Sequence, residues 1–137
     1  MTNESLARSY VKKAADRLDI LEVLTKKGAY SDVVREAQEI VELALKGMLR
    51  AVGIEPPKLH DVGDLLLEHR ERFPGDVAGR LEELAAISKR LREDRELAFY
   101  GDVDFIPTEE YSLADAQQAY DGAVKVVDVA RRVLERS

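Results

Sequence analysis

A chain of 137 residues, 35% charged and only 6% aromatic, has material for one core and reads as helical rather than as a sandwich or barrel. It contains no cysteine, which excludes disulfides and thiolate metal sites, and its formal net charge of −6 argues against a general nucleic-acid coat. No run approaches ~18 consecutive apolar residues, and the N-terminus lacks the apolar block of a signal peptide, so a cytoplasmic protein is expected.

The first predicted helix starts after Asn3 and carries Ala7, Val11, Ala14, Leu18, Leu21 and Leu24 inward. Gly28, behind Lys26 and Lys27, is the expected stop. Ser31 or Asp32 is expected to cap the second helix, which runs to Gly53. Its apolar positions, from Val33 and Val34 through Ile40, Leu45 and Met48 to Val52, fill about half the circumference. That makes it the expected central helix. Leu43 and Gly47 fall outside this arc and read either as scattered surface residues or as a self-association contact. Glu42 and Lys46, one turn apart at the edge of the arc, form a surface ion pair or reach toward Arg95 or a phosphate.

Ile54 to Leu59 holds Pro56 and Pro57 and must be a connection. A short third helix follows from about Asp61, with Val62, Leu65, Leu66 and Phe73 inward. His60 sits at its start and His69 on an exposed mid-helix position; with no cysteine and no HExxH spacing, no zinc site is expected. After Pro74-Gly75-Asp76 a fourth helix is predicted from Val77 to Phe99, closed by Gly101. Its inward ladder is Val77, Leu81, Leu84, Ser88, Leu91, Arg95 and Ala98, which puts an arginine where an apolar side chain belongs. A guanidinium there requires a carboxylate, a carbonyl or an anionic ligand.

An irregular stretch from Asp102 to Tyr111 comes next, with Asp102 and Asp104 either solvated or able to hold a hard cation. Residues 101–121 hold six acids and no base, so this stretch accounts for the whole net charge. Clusters such as Lys89, Arg90, Arg92 and Arg95 remain available to an anion, though a solvated helix face is the plainer meaning. Ser112 and Asp115 form a capping box for the last helix, which turns Ala116, Ala119, Tyr120, Ala123, Val127, Ala130 and Leu134 inward. The sum is an all-α, up-down antiparallel bundle of four long helices and one short one, a single domain over residues 1–137.

Three stretches together resemble a HEPN domain, the nucleotide-binding helical domain of prokaryotes and higher eukaryotes. They are Gly28 to Leu49 with Glu42 and Lys46 four apart, the P-P-K-L-H-D-V-G-D-L-L run from Pro56 to Leu66, and R-E-L-A-F-Y-G-D with Pro107 and Tyr111 beyond it. The resemblance covers essentially the whole chain. Many such domains are metal-independent ribonucleases whose motif is an arginine, a polar residue and, after four to six residues, a histidine, two copies meeting across a homodimer. Arg95 and Glu96 match its beginning. Tyr100 occupies the histidine position, and no histidine follows His69. Metal-free RNA cleavage needs a base for the 2′-hydroxyl and an acid for the leaving oxygen, and tyrosine, with an ordinary pKa near ~10, is a poor base at neutral pH.

The resemblance also implies pairing with a small nucleotidyltransferase, a toxin–antitoxin-like arrangement in which the partner can adenylylate a tyrosine near the arginine; Tyr100 is the matching position, unless its ring caps the core. The leading expectation is a homodimeric module holding a nucleotide or RNA phosphate with Arg95, Lys46, Glu42 and Arg92, without cofactor or metal. The alternatives are a ribonuclease with Arg95 and Tyr100 as catalytic pair, and a pure association bundle with Arg95 locked onto Glu42.

Overall fold

The computed structural model describes residues 2–56, 58 and 61–135. Four long helices carry the fold: α1 (Thr2–Lys26), α2 (Tyr30–Ala51), α5 (Leu81–Phe99) and α7 (Leu113–Glu135). Between them lie α3 (Val62–Glu68), a 3-10 turn (Arg70–Arg72) and the single-turn helices α4 (Gly75–Ala78) and α6 (Pro107–Glu110). No strand occurs among the described residues, and no helix is long and apolar enough to cross a membrane. The all-α bundle is as expected.

α2 occupies the centre. It packs against α1, α5, α7 and α3, because its apolar arc is the widest in the chain and needs neighbours on several sides. Val33, Ala37, Ile40, Val41, Ala44, Leu45, Met48 and Leu49 are all fully buried. Around them close Ala7, Val11, Ala14 and Leu21 of α1, Leu81, Leu84 and Leu91 of α5, and Ala116, Ala123, Val127 and Ala130 of α7. The inward faces read from the sequence for α1 and α7 do line the core, with Leu18, Leu24 and Tyr120 only partly buried at its edge; Val126, Val129 and Val133 of α7 are buried in addition.

Several local expectations need correction. α2 begins at Tyr30 without a side-chain cap, and Ser31 is buried. The chain turns at Gly28 (φ 75°), and the Ala29 carbonyl accepts the Val33 N–H at 3.1 Å, so the backbone leads into α2 two residues earlier than a Ser31 cap allows. The fourth predicted helix is broken: Val77 belongs to α4, and the chain resets at Gly79 and Arg80 before α5 begins. α3 stops at Glu68, so His69 is a half-buried C-cap residue rather than an exposed mid-helix one. His60 lies outside the described residues. Gly47, outside the predicted arc, is buried against the chain's own α1, not against a second copy; Leu43 is likewise half-buried on the core.

Two starts were legible. The Asp61 carboxylate accepts the Gly63 N–H at 2.9 Å and caps α3. At α7 the box is reciprocal: the Ser112 N–H donates to Asp115 Oδ2 at 2.8 Å, and the Asp115 N–H donates to Ser112 Oγ at 3.3 Å.

The segment between α5 and α7 is more ordered than an irregular loop. Asp102 and Phe105 exchange both backbone hydrogen bonds, at 2.9 and 3.0 Å, and Asp102 Oδ1 accepts the Val103 N–H. Phe105 meets Tyr111 edge-on, with ring centroids 5.7 Å apart. The Tyr111 hydroxyl is buried without a hydrogen-bond partner. Its burial, with Asp94 and Asp115 nearby, pushes its pKa up to about 12.

Candidate functional site

The polar side of α2 runs in a strip at helical spacing: Arg35, Glu39, Glu42, Lys46 and Arg50. Its neighbours on either side offer charges at the same spacing. α1 contributes Tyr10, Lys13 and Arg17; α5 contributes Arg92, Arg95 and Phe99. The bundle brings the three strips together because α1 and α5 both pack on α2.

Arg95 is the pivot of the α5 side. One of its guanidinium nitrogens lies 2.8 Å from Glu39 Oε1, and its side chain is 45% exposed. The apolar ladder expected through this position holds at Val77, Leu81, Leu84, Ser88, Leu91 and Ala98, all buried, and opens only at Arg95. The reason is physical. A guanidinium is cheaper at the rim of the helix pair, with a carboxylate on one side and water on the other, than on a buried rung. Its partner is Glu39, one turn before Glu42, so the expected internal lock onto Glu42 does not form.

Glu39 also lies 3.9 Å from Arg35, whose guanidinium sits 4.5 Å from the centre of the Phe99 ring. Glu42 takes the next two cations. Arg92 Nη1 donates to its Oε1 at 2.8 Å, Lys46 lies 3.5 Å from its Oε2, and Gln38 donates to Oε1 at 3.3 Å. Three of the four residues expected to act together, Glu42, Lys46 and Arg92, are thus one cluster; Arg95 sits beside it through Glu39. On the α1 side Arg17 donates to Glu36 at 2.8 Å, and that bond holds the guanidinium above its ordinary value. A cleft of about 190 Å³ between α1 and α2 is lined by Lys13, Arg17, Glu39, Glu42, Leu43 and Lys46.

The side chains of these ion pairs and clefts are Lys13, Arg17, Arg35, Lys46, Arg50, Lys58, Arg92 and Arg95 against Glu36, Glu39, Glu42 and Glu55, with Glu96 one turn beyond Arg92 on α5. In a chain of net charge −6 this face is cationic. Its ion pairs are partly exposed, Arg95–Glu39 most and Lys46–Glu42 least, and pairs in contact with solvent contribute only about 0–1 kcal/mol each. A guanidinium engaged by a carboxylate on one edge keeps N–H donors on the other for an external anion. Arg35, Glu39, Lys13, Arg17 and Arg50 were not singled out from the sequence. The signal was present in the 35-39-42-46-50 spacing, but a polar strip on one helix acquires meaning only when its neighbours are known.

Tyr100 does not cap the core. It is 78% exposed, and its ring meets that of Phe99 edge-on at 4.8 Å. Together with Leu97, Phe99, Val103, Ile106 and Leu113 it forms a run of exposed apolar side chains at the end of α5 and the segment beyond. Among the described residues no group of three or more potential ligands could hold a metal ion.

Comparison with curated proteins and with solved structures found no match. A family model, described as HEPN domain, matches residues 7–135 and so spans every long helix of the bundle and the charged face built on it. The chain belongs to the HEPN domain family.

Proposed function

We propose that this chain is a homodimeric HEPN module that holds nucleotide or RNA phosphates at the rim between α2 and α5, as the partner of a small nucleotidyltransferase in a toxin–antitoxin-like pair. Family membership points to a nucleotide- or RNA-related function. The observation that carries the finer reading is Arg95: half-exposed, engaged through one nitrogen with Glu39, at the edge of a net-cationic face. A guanidinium held this way is oriented and still has donors for two phosphate oxygens. Arg92 and Lys46, sharing Glu42, supply further cations on the same face. The exposed Leu97, Phe99, Val103 and Ile106, at the end of α5 and in the segment after it, support self-association through this end of the bundle.

The test is a fluorescence-anisotropy titration with short RNA and with ATP. Arg95→Ala is expected to weaken binding about tenfold, the size of one lost charge-assisted contact, and to flatten the salt dependence by about one unit of slope. Arg131→Ala, an exposed cation of α7 outside the network, should leave both unchanged. Equal affinity in wild type and Arg95→Ala would remove Arg95 from the site, and absence of binding by the wild type would leave a pure association bundle.

The pairing with a nucleotidyltransferase has its own readout. With its ring in solvent, the Tyr100 hydroxyl is accessible to a modifying enzyme. Co-expression with a small nucleotidyltransferase encoded beside this chain, where one is found, should add the mass of one adenylyl group to the peptide containing Tyr100, and Tyr100→Phe should abolish that addition. Adenylate found elsewhere, or nowhere, refutes this part of the reading.

A further inference from the structure

Beyond the rim, the cationic face runs into a larger cavity. It measures about 510 Å³ and is lined by Tyr10, Lys46, Arg50, Glu55, Pro56 and Lys58, where α1, the end of α2 and the connection after it converge. Lys46 lines both this cavity and the smaller cleft beside Glu42, so the two adjoin at that side chain. Arg50 is the fixed element. Its guanidinium carbon stands 5.6 Å from the centre of the Tyr10 ring, and Nη1 donates to Asn3 Oδ1 at 3.1 Å. Neither neighbour carries a charge. Its Nε is buried with no hydrogen-bond partner, and no carboxylate among the described residues lies within ion-pair distance of Arg50 or of Lys58. Lys46 shares Glu42 only at 3.5 Å, and Glu55 is the one acid in the lining.

This is unlike the rest of the face, where every arginine has a glutamate. A preoriented guanidinium and a lysine without counter-charges, in a cavity of ligand size, call for an anion supplied from outside. The charge balance says which anion. Three cations against one carboxylate leave room for a dianion, and a phosphate monoester carries about −1.5 to −2 at neutral pH, whereas an internal phosphodiester carries a single charge.

We propose that this cavity is a subsite for a phosphate monoester, the terminal phosphate of a bound RNA or that of a free mononucleotide. The RNA form rests on the phosphate-binding reading of the α2–α5 rim; the mononucleotide form stands without it. In the RNA form the strand lies along the rim past Arg95 and Arg92 and ends at Lys46, Arg50 and Lys58, so the site distinguishes a phosphorylated end from a hydroxyl end.

The experiment titrates the full chain with a short RNA phosphorylated at both ends, the same RNA with both ends hydroxyl, AMP and adenosine. The phosphorylated RNA is expected to bind about tenfold tighter than its hydroxyl form. Arg50→Ala and Lys58→Ala should each reduce that preference sharply, costing the phosphorylated RNA clearly more than the hydroxyl RNA; Arg95→Ala should weaken both RNAs and keep the preference. Lys58 is exposed in a connection, so its variant tests the site with no risk to the core. If no RNA binds but AMP does, adenosine does not, and Arg50→Ala abolishes AMP binding, the subsite stands for free mononucleotide and the RNA reading falls. Equal binding of the two RNAs, with AMP no tighter than adenosine, overturns the subsite even where Arg95→Ala still weakens RNA. A preference that survives in both Arg50→Ala and Lys58→Ala overturns it as well.

Discussion

Gly101→Ala is expected to cost about 3 kcal/mol and to open the corner after α5, the sum of a left-handed backbone forced on an L-residue and an overpacked contact. Gly101 sits at φ 70°, and a Cβ placed there would stand 2.4 Å from the Phe105 carbonyl oxygen and 2.4 Å from Pro107 Cδ. Both obstacles are backbone or ring, so neither can swing aside. The chain can accept the methyl only by releasing the paired backbone of Asp102 and Phe105, which also frees the Phe105–Tyr111 ring contact. Amide exchange checks this: the Asp102 and Phe105 N–H groups should lose protection while α2 keeps its own. Gly28→Ala is the natural control, since Gly28 has a similar φ of 75° but nothing within 4 Å of its Cβ position. It should cost only the backbone part, about 1–2 kcal/mol. Equal losses in the two variants would show that the corner is not sterically locked. Because Phe99 and Tyr100 lie just before Gly101, the opened corner also disturbs the apolar cluster proposed for self-association.

The second large effect is at Gly47. A Cβ there would meet Val11 Cγ2 at 2.8 Å, the Ala7 carbonyl oxygen at 3.2 Å and Tyr10 Cβ at 3.3 Å. Here the glycine sets how closely α1 and α2 approach. Gly47→Ala carries two opposed terms: alanine gains about 1 kcal/mol as a helix former, and overpacking loses about 1–3 kcal/mol. Val11 is 2% exposed and β-branched, with its rotamer fixed in the helix, so overpacking wins and a net loss of about 1 kcal/mol is expected. Gly47→Leu cannot be absorbed and should cost about 3 kcal/mol or more. Urea unfolding of the two variants gives the graded series; a stabilised Gly47→Ala would mean that α1 shifts freely, contrary to the contacts drawn here. Since Tyr10 is displaced by the same side chain, Gly47→Leu should also disturb Arg50, which rests on the Tyr10 ring.

What each substitution touches also shows what the sequence could convey. Gly101 was legible as a helix stop, because glycine after an apolar run has one common meaning. Its second role, making room for Phe105 and Pro107, depends on how the chain folds back and has no local signature. Gly47 misread in the opposite direction: outside the apolar arc of α2 it looked like surface or self-association, yet α1 covers it. An amphipathic arc records which side chains are greasy, and a glycine has none to record.

The candidate site divides along the same line. Arg95 stood out because a cation broke the Val77–Ala98 ladder, and Glu42 with Lys46 stood out as a pair one turn apart. The HEPN resemblance on these residues agrees with the family match over residues 7–135. The lock of Arg95 onto Glu42 that the association alternative required falls one turn away, on Glu39, because spacing along α2 alone cannot fix the register of α5 against it. Helix periodicity, the ends marked by Gly28, Asp61, Gly101 and Ser112, and the wide apolar arc of α2 were set by the sequence itself, since each depends on side chains within a few turns of one another. The convergence of three polar strips into one cationic face, and the Arg50 guanidinium left without a carboxylate on the Tyr10 ring, were decided only by packing. Residues dozens of positions apart become electrostatic neighbours only once the helices have docked.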